Sequence, residues 1–372
     1  MDEQLQGLAL LSTVTANGLL RLSLETVRMD APGPDEVIVQ VEATPINPSD
    51  LGLLLGPADV TTMRTEEGAL VADVPQPRLH FVEGRIGQPM PVGNEGAGTV
   101  VRAGANVRGL LGRKVGMIGG GMYAQYRKLP AAACAPLPDG VSAADGAAMF
   151  VNPLTALGFV ETMKAEGHSA LVHTAAASNL GVTLNRVCIA DGIPLVNIVR
   201  SEAQAQSLRA IGARFVVDST APDFRAQLID AIAETGATLG FDAVGGGKLA
   251  GQILDAMEAA ASRNSQGYSI YGSASPKQVY IYGSLDTGPT IIDRTFGLSW
   301  RMGGWLLTPF LQKAGPETAA RLRQRVADEL STTFASRYTA VIGLSDVLRP
   351  EIAAAYQKKA TGEKYLIDPT RG

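Results

Sequence analysis

From Glu36 to Thr44 the run EVIVQVEAT alternates apolar and polar positions, the two-residue period of a strand with one face buried. Gly and Pro recur about every eight to twelve residues up to Pro138, so the first third of the chain predicts a small β-rich domain. Between Pro57 and Pro91 the chain turns polar and irregular, which predicts a surface insertion. After Pro138 apolar runs alternate with alanine-rich stretches of helical character, the rhythm of a parallel sheet with crossover helices. The runs Ala170 to Thr174, Pro194 to Val199, Phe215 to Val217, Thr238 to Phe241 and Val279 to Tyr282 are the expected strands. Beyond Pro316 come a charged helix, ETAARLRQRVADEL, and a strand-like KYLID, which are expected to return to the first domain. The segments SIYGSAS and VYIYGSL look like a local duplication, explained by a hairpin or an inserted loop.

With 372 residues, 46% of them hydrophobic and 18% charged, the chain can bury two ordinary cores. A net charge of -4 provides no basic field for a nucleic-acid backbone. The opening MDEQLQGLALLSTV is acidic and lacks a basic n-region, and no run supplies about eighteen consecutive apolar residues, so a cytoplasmic protein without membrane partners is expected. Cys134 and Cys188 are expected as free thiols.

The strand ALVHT runs directly into AAASNLG and a helix-compatible stretch, the place where a dinucleotide fold sets its glycine-rich turn. The usual GxGxxG is degraded here, with Ala176, Ser178 and Gly181 at its glycine positions and Asn179 and Leu180 between the last two. Alanine and serine are small enough for backbone N–H groups to approach a pyrophosphate, and the helix N-terminus adds a favourable dipole. A purely structural strand-turn-helix is the competing reading. About twenty residues on, where NAD-binding chains place a carboxylate, the run PLVNIV ends in Arg200 and Ser201. A guanidinium and a hydroxyl suit a 2′-phosphate, so NADPH is the expected cofactor; a solvated arginine is the alternative.

These features, in this order, resemble the medium-chain dehydrogenase/reductase superfamily, in particular its zinc-free quinone oxidoreductase and 2-enoyl thioester reductase branches. The resemblance rests on INPSD (46–50), GNEGAGTVVRAGANV (93–107), VNPLTAL (151–157), the turn itself, FDAVGG (241–246) and TGEKYLIDP near the end. It implies an α/β fold: a GroES-like β-rich catalytic domain from residues 1–137 and 309–372, and a Rossmann doubly wound parallel-sheet cofactor domain from 138–308. Gly96 and Gly98 are then structural.

The resemblance places Asn47 and Thr155 near the nicotinamide and its ribose, as the catalytic candidates. It places Val244, Gly245, Tyr282, Gly283, Ser284 and Leu285 on loops against the cofactor, Ser219 on the adenine side, and Lys359 or Lys364 at a basic position of the C-terminal segment. Zinc-dependent relatives carry a Cys near INPSD and a His where this chain has Asn94. His80, His168 and His173 show no ligand spacing with the cysteines, so no metal is expected.

Without a Lewis acid, charge arriving on a substrate oxygen must meet hydrogen-bond donors, for which Asn47 and ribose hydroxyls are the candidates. Quinones and carbonyls conjugated to a carbon–carbon double bond tolerate such weak help, so a quinone or enone reductase is expected. A 2-enoyl thioester reductase is the alternative, although LGLLLGPADV after INPSD lacks the tyrosine those enzymes usually carry. The insertion from Pro57 alters one wall of the expected substrate cleft. A catalytically silent nucleotide-binding protein is the third reading. The resemblance also implies a homodimer, for which the apolar run LSWRMGGWLL, with Trp300 and Trp305, is the candidate strand; an internal core strand is the alternative.

Overall fold

The computed structural model describes residues 4–263, 269–358 and 364–371. The chain divides into two compact units, Met1–Val151 with Val326–Gly372, and Asn152–Arg325. The resemblance implied changeovers at 138 and 308; the compact units change within the helices Val151–Ala165 and Leu307–Asp328.

In the first unit two sheets form. One has the antiparallel order Arg64–Glu66, Ala69–Asp73, Leu19–Arg28, Gln6–Val14, Met90–Pro91. The other runs Cys134–Pro136, Lys114–Ile118, Glu95–Ala103, Glu36–Pro45, Tyr365–Asp368, Ala340–Gly343, with Tyr126–Pro130 also on Glu36–Pro45. Its last pair, Ala340–Gly343 with Tyr365–Asp368, is parallel, and the C-terminal strand reaches Glu36–Pro45 through Leu366 opposite Pro45. Leu10, Leu22, Leu54, Leu70, Val347 and Ile367 share one core, and Val37, Val39, Val41, Val100, Val115 and Met117 another. Gly98 is required by close approach: a Cβ there would lie 1.9 Å from the Gln40 carbonyl oxygen of the neighbouring strand.

The expected insertion between Pro57 and Pro91 is corrected. Ala69–Asp73 is a strand paired with Leu19–Arg28, its first four residues buried, so the segment is part of the sheet. A five-residue strand flanked by polar turns carries too little periodicity to stand out in sequence.

The second unit holds a six-stranded parallel sheet in the order Phe215–Asp218, Leu195–Val199, Leu171–His173, Leu239–Asp242, Lys277–Ile281, Trp300–Gly304, and a small two-stranded one, Gly245–Gly247 with Asp286–Thr290. Every residue of Leu171–His173, Leu195–Val199 and Leu239–Asp242 is buried, as strands covered on both faces must be. The order reverses beside Leu171–His173, whose neighbours are Leu195–Val199 and Leu239–Asp242, and that is a topological switch point. Residues 269–275 form turns rather than a strand, so the apparent duplication is no hairpin. The apolar helical stretch Ala143–Ala165 has the length and hydropathy of a membrane span, yet most of it is buried within the protein.

Candidate functional site

At the switch point the chain leaves Leu171–His173 and turns through Thr174 to Ser178 into the helix Asn179–Ala190. Ser178 caps this helix: its Oγ accepts from the Gly181 N–H at 3.2 Å. The amides of Asn179 and Leu180 stand in the first turn, where a helix supplies no intrahelical acceptor. Gly181 packs so closely on the turn that a Cβ would stand 2.1 Å from the Ala176 carbonyl oxygen. Ala176 and Ala177 are buried beside Val199 and Leu208, so the turn is fixed from below.

At the end of the second strand Arg200 is exposed, and its backbone N–H donates to Gln204 Oε1 at 3.0 Å. Ser201 caps the next helix by accepting from the Gln204 N–H at 3.3 Å, which leaves its own O–H to donate. Ser219 is half-buried after the third strand, tied by its N–H to the Val199 carbonyl.

Asp242, which lies unremarked inside FDAVGG in the sequence, organises the next loop. Its carboxylate accepts from the Thr174 hydroxyl at 2.7 Å and from the backbone N–H groups of Val244 and Gly245 at 2.9 and 3.0 Å. Those two amides are therefore committed to Asp242, and Val244 and Gly245 shape the loop without offering donors. Tyr282, Gly283, Ser284 and Leu285 follow the fifth strand, with Tyr282 N–H on the Asp242 carbonyl and Leu285 N–H on that of Ala243. The Tyr282 hydroxyl meets Nε2 of the buried His173 at 2.7 Å. Burial pushes the His173 imidazole down to about 3, so it stays neutral. Thr155 is buried in the second turn of Val151–Ala165. The unit thus brings Ala176, Ser178, Asn179, Leu180, Gly181, Arg200, Ser201, Ser219, Val244, Gly245 and 282–285 to the carboxyl ends of one sheet's strands.

The first unit holds a second polar cluster. Asn47 Nδ2 donates to Glu95 Oε1 at 2.8 Å, and Glu95 Oε2 accepts from the N–H groups of Phe150 and Val151, both at 2.9 Å. Asp50 accepts from the N–H groups of Asn47 at 2.7 Å and Asn94 at 2.9 Å. Burial raises its carboxyl to about 7, against those hydrogen bonds and with help from the nearby Glu95 charge. Glu95 is raised as well, first by burial, with Lys364 opposing. Lys364 is buried and its ammonium is pushed down by desolvation, while Glu95 and Asp50 hold it up. Lys359, the other basic candidate, lies outside the described residues. Glu95 and Asp50 stand inside quoted motifs, and only their burial reveals them. No group of three or more His, Cys, Asp or Glu among the described residues is arranged to hold a metal.

Residues 33–139 match the alcohol dehydrogenase GroES-like domain. A Mesorhizobium loti protein assigned as an NADPH:quinone reductase superposes with a TM-score of 0.73 and 28% identity, over 99% of this chain and 100% of that one. A Bacillus thuringiensis protein assigned likewise has the same fold at 22% identity and a TM-score of 0.73, over 98% and 99% of the two chains. The mitochondrial enoyl-[acyl-carrier-protein] reductase of Xenopus tropicalis is 27% identical over 206 residues, which is 53% of this chain and 51% of that one. The chain spans about half the length of the curated enoyl reductases it matches. The fold is an α/β one that pairs a GroES-like unit with a Rossmann-like parallel sheet. Over its whole length the chain is thus similar to zinc-free reductases of the medium-chain dehydrogenase/reductase superfamily.

Proposed function

We propose that this protein is an NADPH-dependent reductase of quinones or α,β-unsaturated carbonyls. The observation that carries the reading is the turn at 174–181, where Gly181 is pressed on the Ala176 carbonyl, followed one strand later by the exposed Arg200. The residues fit the nucleotide. The amides of Asn179 and Leu180, capped in place by Ser178, suit a pyrophosphate; Arg200 and the Ser201 hydroxyl suit a 2′-phosphate. When bound, the reduced nicotinamide supplies hydride from C4.

Asn47 gives one Nδ2 hydrogen to Glu95 and its Oδ1 is buried without a partner, so it offers an acceptor and keeps at most one N–H for a substrate oxyanion. Charge on a reduced acceptor must then be met by other donors and by solvent, which favours substrates that are already electrophilic.

Fluorescence titration tests the proposal. NADPH should bind at least about tenfold tighter than NADH, and Arg200→Asp should remove that preference, in keeping with the loss of one charge-assisted pair. Equal affinity for the two nucleotides in the unaltered protein would contradict it. The similarity to an enoyl reductase favours a second reading, a 2-enoyl thioester reductase. Parallel assays with a crotonyl thioester and a simple quinone separate the two, by which substrate consumes NADPH.

A homodimer goes with this reading. Trp300–Gly304 is an edge strand, and Leu298 and Leu306 beside it are 71% and 65% exposed. Sizing with light scattering should give twice the chain mass, and Leu298→Lys with Leu306→Lys should return a monomer.

A further inference from the structure

Asn47 is 2% exposed, and its side chain is satisfied on one side only. An amide that donates to Glu95 can rotate by half a turn, exchanging oxygen for nitrogen, unless something opposes it. What prevents the exchange is the state of Glu95. Three donors converge on its two oxygens, the Asn47 amide and the N–H groups of Phe150 and Val151, which is the arrangement that suits an ionised carboxylate. Rotating Asn47 would set its Oδ1 against a carboxylate oxygen, two acceptors with no proton between them, in a place water does not reach.

Lys364 completes the arrangement. It is 4% exposed, its Nζ lies 3.4 Å from Ser336 Oγ and 5.4 Å from the centre of the Tyr338 ring, and its charge attracts those of Glu95 and Asp50. A buried carboxylate without a nearby cation would tend to take up a proton, and a protonated Glu95 could accept either face of the Asn47 amide.

We propose that Glu95 and Lys364 are positioning residues that fix the polarity of Asn47, so that the first unit turns the Asn47 amide oxygen, a buried hydrogen-bond acceptor, toward a ligand at this point. The group that satisfies it is a donor: a sugar hydroxyl or a primary carboxamide N–H. The inference rests on the function proposed above, since a nicotinamide nucleotide carries both.

Glu95→Gln tests the clamp with an isosteric change. The amide introduced there can donate to Asn47 Oδ1, which withdraws the acceptor or turns the Asn47 side chain over. Calorimetry with NADP+ should show about tenfold weaker binding, the size expected when one buried polar group loses its partner. The double variant Asn47→Asp with Glu95→Gln rebuilds the pair with donor and acceptor exchanged and leaves an outward carboxylate oxygen, so affinity should return. A general loss of structure would give no such rescue. The 3-acetylpyridine analogue of NADP+, which lacks the carboxamide N–H, identifies the donor. If it binds the unaltered protein as weakly as NADP+ binds Glu95→Gln, the carboxamide is the donor; if it behaves as NADP+ does, the ribose hydroxyl is.

A ligand-free measurement stands apart from the nucleotide. In protein labelled at asparagine, the Asn47 Nδ2 protons should exchange slowly with solvent, and quickly in Glu95→Gln. Equal exchange in the two proteins, or equal NADP+ affinity, overturns the clamp. Slow exchange in a protein that does not bind NADP+ would leave the clamp standing and remove the function proposed above.

Discussion

Ala175 holds a left-handed backbone, φ 49°, immediately after the first strand of the parallel sheet. A Cβ in that conformation costs roughly 1–2 kcal/mol, which glycine would avoid, so the turn proposed to hold the pyrophosphate carries stored strain. Ala175→Gly should therefore raise stability by about 0.5–1 kcal/mol after allowing for the freer unfolded chain, read as a higher urea midpoint. Gly181→Ala should act in the opposite sense. Its new methyl would meet the Ala176 carbonyl at 2.1 Å, and backbone cannot swing away as a side-chain end can. We expect a loss of about 1–3 kcal/mol together with loss of nucleotide binding; unchanged binding by fluorescence would mean that the contact does not shape the site. The turn was legible in the sequence because its chemistry is local, a strand, small residues and a helix within about a dozen positions. The polarity of Asn47 was not, because it is decided by Glu95, 48 residues away, whose burial no local pattern announces. The part Asp242 plays in consuming the Val244 and Gly245 amides was hidden for the same reason, since in sequence it looks like one more turn residue.

The parallel strands were visible as elements because strands buried on both faces read as unbroken apolar runs bounded by turn residues, and their observed limits fall within a residue or two of the expected ones. Lys277, which begins the fifth strand, breaks that rule and shows how the element is anchored. Its side chain is wholly buried and paired with Glu258 Oε2 at 2.6 Å, and Ser273 bonds the same carboxylate through its hydroxyl and its N–H. Burial pushes Glu258 upward, yet the bonds from Lys277 and Ser273 outweigh it, and the carboxyl titrates below its ordinary value. A depressed folded value stabilises the protein above the unfolded one and is lost as pH falls through it. Stability should thus fall between about pH 5 and pH 3 by more than in Lys277→Met/Glu258→Leu, where no such pair exists. Lys277→Met alone should cost about 3–5 kcal/mol, because it strands a carboxylate in the interior, and the double variant should recover most of that loss. If the single and double variants unfold at the same urea concentration, the pair anchors nothing.

At the scale of the whole molecule, the residues read as nucleotide contacts at the carboxyl ends of the parallel strands all belong to Asn152–Arg325. Ligand that binds only the folded state stabilises it by about 2.7 kcal/mol at a hundred times its dissociation constant. For a unit of this size that amounts to about 5–10 °C in Tm, since each kcal/mol moves the midpoint about 2–4 °C. Scanning calorimetry should therefore show NADPH raising the transition that contains this unit, while NADH at the same concentration raises it less. The difference between the two nucleotides is the 2′-phosphate alone, and the partner proposed for it is the exposed Arg200 with the Ser201 hydroxyl. Exposure limits what that pair contributes, because water and salt screen it. The NADPH advantage should accordingly shrink as ionic strength rises from about 0.05 to 0.5 M, and it should vanish in Arg200→Asp at every salt concentration. An advantage that persists unchanged in about 0.5 M salt would place the phosphate against some other, buried group, and would move nucleotide selection away from the end of the second strand.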